Sequence, residues 1–232
     1  MDIFLDSSDK YESPFNWPED AKQFLEKSKI ETCKVQRFSD GVMVYVPLGH
    51  TGESFPVSSV MTALLCTAST MMVSLAKKTP IRMGIAIGGA VELEDGELFG
   101  PAIGHAHEME SKRAIYPRIA VHENVIAYLM SYDDLRATRA SSVDDRYQYD
   151  IAKLCASTII RDDDGVYILD YLGDTAWEHI FQGGDNELLE LAFDFVKCEL
   201  SRFEKEGNGK LVKKYSYLHK YFANSKAVTN IT

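Results

Sequence analysis

A carboxylate on a tight turn is the first chemically suggestive feature of this sequence. Phe38-Ser39-Asp40-Gly41 lies between two apolar stretches, one with Val35 and Phe38 and one with Val42, Val44 and Val46. Asp-Gly is a favoured hairpin turn in its own right, because both residues tolerate the backbone angles of a short turn. The same turn would hold a carboxylate rigidly at a hairpin tip. Such a carboxylate suits Mg²⁺ or Mn²⁺, hard cations that take oxygen ligands and stay partly hydrated beside phosphates. The local sequence is compatible with either use. Other polar residues offer less. His105 and His107 are two apart, so on a helix they share no face and form no metal pair. Glu108 and Lys112 have the spacing of an exposed i,i+4 ion pair. The run Asp162-Asp163-Asp164-Gly165 reads as a solvated turn. Cys33, Cys66, Cys155 and Cys198 form no CxxC pair, which argues against a zinc or redox motif and predicts reduced, buried thiols.

Composition narrows the partners. The chain has 232 residues, 45% hydrophobic and 26% charged, the balance of an ordinary globular protein with a sizeable core. Lys and Arg number 25 against 35 Asp and Glu, a formal charge of −10. Nucleic-acid binding rewards basic surface, so none is expected. A small anionic ligand remains compatible if a metal ion supplies local positive charge. No apolar run is expected to reach the roughly 18 residues of a membrane helix. Met1-Asp2-Ile3-Phe4-Leu5-Asp6 lacks the basic and apolar regions of a signal peptide, which predicts a cytoplasmic protein without a membrane partner.

The elements that must position these residues follow from periodicity and turn chemistry. Pro18 to Lys29 suits a helix. Cys33 to Pro47 is strand, turn, strand, with the valines of the second strand alternating as in a strand covered on both faces. Residues 56 to 78 form a long helix ending before Pro80. Ile81 to Val91 is a strand rich in small residues, and Asp95-Gly96 turns the chain into Leu98-Phe99. A helix follows Gly100-Pro101 to about Arg113, and Ile115 to Val121 is a further strand. The polar segment from Asp133 to Arg146 reads as a loop insertion, and Tyr147 to Cys155 fits more than one element. Val166 to Leu172 is a strand, and residues 186 to 205 and 210 to 223 are helices. The order predicts an α/β fold, an α+β sandwich with a helical C-terminal end.

Several runs resemble class III nucleotidyl cyclases. Arg82-Met83-Gly84-Ile85-Ala86-Ile87-Gly88-Gly89 is similar to their "R-x-G-I-x-x-G" strand. Phe99-Gly100-Pro101-Ala102-Ile103 is similar to the "y-G-x-x-V" entry of the next helix, with Glu110 at the place of the helix's "R-L-E" glutamate. Phe38-Ser39-Asp40-Gly41-Val42-Met43 resembles the "I-G-D-x-x-M" hairpin. The glycines equally suit close packing of helix on sheet. The Phe99 run followed by Ala106-His107-Glu108-Met109-Glu110 and Tyr116-Pro117-Arg118-Ile119 brings the chain nearer to the pyrimidine cyclases of Pycsar antiphage systems. So does Lys214-Tyr215-Ser216-Tyr217-Leu218 with Tyr221 and Asn224, similar to a C-terminal "K-Y-x-W-L-x-x-Y-x-N" pattern. The likeness extends patchily over residues 37 to 224.

This resemblance implies a ferredoxin-like cyclase domain over residues 1–180, with residues 181–232 as a helical extension packed on it. It implies a cytoplasmic homodimer with shared active sites, two Mg²⁺ or Mn²⁺ ions per site, and a pyrimidine triphosphate substrate, UTP before CTP. The product would be a 3′,5′-cyclic mononucleotide acting in antiphage defence. Asp40 matches the second metal aspartate. The first has one approximate counterpart, Asp6 in Phe4-Leu5-Asp6, followed by Ser7-Ser8 instead of a glycine turn. Asp6 is then either a divergent ligand, or the first catalytic strand is missing and the chain is an inactive cyclase-fold module that binds a nucleotide or partner. Gln36 stands where purine cyclases carry a base-reading lysine, and its amide can pair with a pyrimidine edge. Arg37, Ser39 and Gly41 beside it complete the expected substrate-binding set. Gly104 and Glu108 replace the family's transition-state Asn and Arg, so positive charge would come from Arg118, or from Arg113 or Arg161.

Overall fold

The longest apolar helix of the chain is also its structural centre. In the computed structural model, which describes residues 33–38, 41–48, 56–94, 97–139, 143–179 and 186–229, helix α1 spans Pro56–Ala76. Val57, Val60, Leu64, Ala68, Met71, Met72 and Leu75 recur at helical spacing and are buried. By length and mean hydropathy, 1.6 over Val57–Ala76, this helix could cross a membrane. Its buried stripe instead belongs to the main core, and the serines and threonines that break the apolar run lie among these residues. Its end is set by Lys78, which takes a left-handed conformation at φ 60°. The Thr79 N–H then donates back to the Ser74 carbonyl at 2.8 Å, satisfying the last turn.

A four-stranded mixed sheet packs against this centre. Strands β3 (Met83–Ile85), β6 (Ile119–Val121), β7 (Ile159–Arg161) and β8 (Tyr167–Leu169) lie in the order β3-β6-β8-β7. The β3–β6 pair is parallel, with Gly84 opposite Ala120, and the other two pairings are antiparallel. Two separate hairpins complete the strands. One is β1 (Lys34–Arg37) with β2 (Val42–Tyr45); the other is β4 (Val91–Glu92) with β5 (Leu98–Phe99). The expected strands are therefore present but short. A second departure is at β2, where Val42 and Val44 are 63% and 50% exposed. Among the described residues β1 and β2 pair only with each other, so no sheet covers their outer face.

Helix α2 (Pro101–Glu108) continues into a π-helical turn at Met109–Arg113. Helix α3 runs over Glu123–Arg139 and α4 over Val143–Ser157. The expected loop from Asp133 to Arg146 is thus mostly helix. Good helix formers such as Leu135, Arg136 and Ala137 outweigh the segment's polarity. The chain ends in α5 (Asp174–His179), α6 (Asn186–Lys205), α7 (Gly209–Asn224) and α8 (Lys226–Thr229). Helix α6 packs on both α1 and α7. Leu189, Val196, Leu218 and Phe222 share one buried cluster with Val57, Leu64 and Ile119. The C-terminal helices are therefore part of the principal core. Of the cysteines expected to be buried, only Cys155 is; Cys33 is half-buried, and Cys66 and Cys198 lie on outward helix faces.

Candidate functional site

The glycines of the motif runs allow a strand and a helix to touch. A Cβ on Gly84 would lie 2.1 Å from the Ala106 carbonyl oxygen and 2.6 Å from the Glu110 nitrogen, so only glycine lets β3 approach α2 this closely. Gly100, at φ 150°, passes so near Gly89 that a Cβ would sit 2.4 Å from its carbonyl oxygen. The two runs also share an ion pair, Arg82 Nη2 to Glu110 Oε1 at 2.8 Å. The charged ends of the "R-x-G" and "R-L-E"-like motifs thus hold one another. Glu108 and Lys112 form the expected i,i+4 pair at 3.6 Å.

The β1–β2 hairpin stands beside this unit. Phe38 N–H donates to the Gly41 carbonyl at 2.9 Å. Lys34 Nζ pairs with Glu92 Oε2 at 2.6 Å, and Tyr45 donates its hydroxyl to Glu92 Oε1 at 3.0 Å, so the hairpin is tied to β4. Lys34 and then Tyr45 hold the Glu92 carboxyl below its usual range. Desolvation, followed by the neighbouring Glu92, pushes the Tyr45 phenol up. Between the two hairpins and α2 opens a cavity of 380 Å³. Gln36 and Phe38 line it from the first hairpin, Leu98 and Phe99 from the second, and Gly100, Ile103 and Gly104 from the helix entry. The Gln36 Oε1 atom is buried and has no hydrogen-bond partner among the described residues. A buried acceptor left unpaired costs free energy that a donor on a ligand can recover.

Of the residues expected to form the site, Gln36 is therefore in a cavity wall, while Arg37 and Gly41 are exposed beside it. Asp40, Ser39 and Asp6 lie outside the described residues. Among the described residues no group of three His, Cys, Asp or Glu side chains could hold a metal ion.

Arg118 is placed elsewhere. It is 2% exposed. Nη1 donates to Asp162 Oδ2 at 2.5 Å and to Asp164 Oδ1 at 3.1 Å. Nη2 donates to Asp164 Oδ2 at 2.6 Å and to the Arg113 carbonyl at 2.5 Å. Tyr116 donates to Asp162 at 2.5 Å and lies under the guanidinium, 4.7 Å from ring centroid to Cζ. Burial works against the Asp164 carboxylate, but Arg118 and the Val166 N–H outweigh it and hold its pKa below the ordinary value. Desolvation and the Asp162 carboxylate push the Tyr116 phenol far up. Arg161 bonds the same turn, its Nε donating to the Gly165 carbonyl at 3.0 Å. The acidic run is a turn open to solvent at Asp163 and Asp164, as expected, and it is also clamped, by the arginine expected to serve catalysis.

The C-terminal aromatic run also packs. Tyr215 and Phe222 are in the core, while Tyr221 donates to Asp170 Oδ1 at 2.7 Å and accepts from Leu172 N–H at 2.9 Å. Near it lies a larger cavity of 460 Å³, with Asp163, Asp174, Lys220 and Lys226 in its wall. Both lysines are paired, Lys220 with Asp163 at 3.3 Å and Lys226 with Asp174, and the wall's other aspartates, Asp162 and Asp170, are held by Arg118 and Tyr221. Residue spacing did not reveal a third cluster. His105 stacks on His122 at 4.3 Å between centroids, and Asn124 bonds both backbone groups of Ile87. Helix and strand ends meet there through tertiary packing, which short-range spacing does not encode. No protein-family model, curated protein or solved structure matches the chain.

Proposed function

We propose that the chain is a nucleotidyl cyclase that converts a pyrimidine nucleoside triphosphate, UTP before CTP, to a 3′,5′-cyclic mononucleotide and pyrophosphate. The observation that carries this reading is the cavity lined both by Gln36, whose buried amide oxygen has no partner among the described residues, and by the Phe99-Gly100 helix entry, because it joins two motif runs that are 63 residues apart between Gln36 and Phe99. Uracil offers an N–H beside a carbonyl, and cytosine an amino group beside a ring nitrogen. Either edge matches the acceptor and donor of one side-chain amide. In the reaction the ribose 3′-hydroxyl attacks the α-phosphorus, loses its proton, and the bond to the bridging oxygen breaks to release pyrophosphate. Asp40 and Asp6 are the residues that would hold two divalent ions, whose charge would neutralise the triphosphate. The resemblance to the Pycsar cyclases supports a homodimer with shared sites and a role as an antiphage signal.

The test is incubation with the four nucleoside triphosphates, singly and in competition, with Mn²⁺ and mass-spectrometric identification of products. Cyclic UMP should dominate, with cyclic CMP second and little cyclic AMP or GMP. Turnover of ATP equal to that of UTP would refute the pyrimidine assignment. UTP binding without any cyclic product would refute the enzyme and leave a nucleotide-binding module. Light scattering at micromolar concentration should give a dimer.

A further inference from the structure

Two cysteines far apart in sequence come together at the root of the β1–β2 hairpin. Cys33 immediately precedes β1, and Cys66 is on the outward face of α1. Their sulfurs are 3.7 Å apart. We propose that Cys33 and Cys66 form a redox-responsive pair that closes an intramolecular disulfide and tethers the hairpin to the central helix. A disulfide needs its sulfurs at about 2.0 Å, so closure requires an approach of roughly 1.7 Å from the observed 3.7 Å. Exposed side chains adjust by that much through small torsional changes. The other two thiols do not compete. Cys155 is sealed in the core, with burial pushing it up to about 12, and Cys198 is on a different helix, α6.

The oxidant is a low-molecular-weight disulfide such as oxidised glutathione. One protein thiolate attacks a sulfur of that disulfide and releases one small thiol. The second protein thiolate attacks the resulting mixed disulfide and releases the other. Two S–H bonds are lost from the protein, one S–S bond forms, and the small disulfide is reduced to two thiols. Proximity favours the second step, since the neighbouring thiol acts at a very high effective concentration. Desolvation, then its contact with Cys33, pushes the Cys66 thiol up to about 11. Attack by Cys66 is therefore slow at neutral pH and accelerates in alkali.

The proposal is tested by treating the full chain with oxidised glutathione at pH 7 and pH 9, followed by intact-mass measurement, thiol titration after unfolding, and peptide mapping. The expected result is a Cys33–Cys66 linked peptide, formed faster at pH 9, with both cysteines lost from the thiol titration and a loss of about 2 Da once any glutathione adduct on the exposed Cys198 is counted separately. Cys66→Ser should stop at a single glutathione adduct on Cys33. Hydrogen exchange across residues 34–45 should slow several-fold in the oxidised chain. Lasting adducts on both cysteines, disulfide-linked dimers or four remaining thiols would overturn the pair. A bridge that leaves exchange in 34–45 unchanged would overturn the tether. Neither outcome depends on cyclase activity.

Discussion

The sequence puts an acidic turn in two antiparallel hairpins. Ser39-Asp40-Gly41 joins β1 to β2, and Asp162-Asp163-Asp164-Gly165 joins β7 to β8. Around the second turn, the charges are used up inside the molecule. Arg118 takes up Asp162 and Asp164, Lys220 pairs with Asp163, and Tyr116 closes the cluster. The first hairpin differs in that it leaves polar and apolar groups unmet. Gln36 Oε1 has no partner, and Val35, Val42 and Val44 are exposed. A fold that spends its buried cation on one turn fixes that turn in place. The hairpin with unspent hydrogen-bonding capacity is the one with free energy available for a ligand.

Replacing each turn's key residue should therefore give opposite phenotypes, and the larger effect is at the first. Asp40→Ala should reduce cyclic-nucleotide formation to the level of a no-protein control, because it removes a hard oxygen ligand. Its melting temperature should stay within a few degrees of wild type, as the Asp-Gly turn expected from the sequence implies. Wild-type turnover in Asp40→Ala would remove the hairpin from the site.

Arg118→Met is the converse. It leaves Asp162 and Asp164, which are partly exposed, without their cation and the Arg113 carbonyl without its donor, and should cost about 1–3 kcal/mol of stability. For a chain of this size that is a drop of roughly 3–10 °C in melting temperature. Activity per folded molecule should persist. A variant as stable as wild type but inactive would return Arg118 to the expected role of supplying the positive charge that Gly104 and Glu108 do not.

That arginine marks what the sequence made legible. The helix over Pro56–Ala76 and the two C-terminal helices could be read from 3.6-residue periodicity, and the β1–β2 hairpin from alternation and Asp-Gly. The glycines of the "R-x-G" and "y-G" runs rightly pointed to close packing, since Gly84 and Gly100 each bring backbone against backbone. What stayed hidden depends on contacts across the fold. Arg118 meets Asp162 and Asp164 across 44 and 46 residues, and no local pattern announces such a pair. The stacked His105 and His122 are hidden for the same reason. Of the candidate site residues, Gln36 is the one whose place in the hairpin motif coincides with a cavity wall; Asp6, Ser39 and Asp40 lie outside the described residues.

Gln36→Leu sharpens the contrast on the side of the open hairpin. Leucine keeps comparable bulk but removes the unpaired acceptor. Stability should be unchanged or slightly higher, since no hydrogen bond is lost in the free protein. Nucleotide recognition should weaken by about 1–3 kcal/mol, the cost of leaving a base group unpaired, or roughly 10- to 100-fold in kcat/KM for UTP. Preference among the bases should flatten at the same time. Unaltered discrimination between UTP and ATP in Gln36→Leu would show that the cavity does not read the base.

The smallest expected effect is the acid response of the clamped turn. Asp164 has a folded-state pKa below its unfolded value, chiefly because Arg118 and the Val166 N–H outweigh the penalty of burial. Its contribution is therefore fully present above the unfolded pKa of about 3.9 and is lost as pH falls through the lower folded value. The Asp164 side chain is 40% exposed, so solvent screening keeps the effect small, under about 1 kcal/mol. Asp170 behaves oppositely. Burial raises its pKa despite the hydroxyl of Tyr221, so its neutral form is favoured and its contribution is lost as pH rises. Asp170 has no bond to Arg118 and should titrate alike in wild type and Arg118→Met, so it cancels in their difference. Urea unfolding of both proteins from pH 6 down to pH 3 reads what Arg118 contributes to the clamped turn. The stability gap between them should be constant above about pH 5 and narrow below pH 4, as protonation discharges the partner that Arg118 would otherwise hold. A gap that widens in acid would mean that the Arg118 cluster is not held together by the ionised carboxylate.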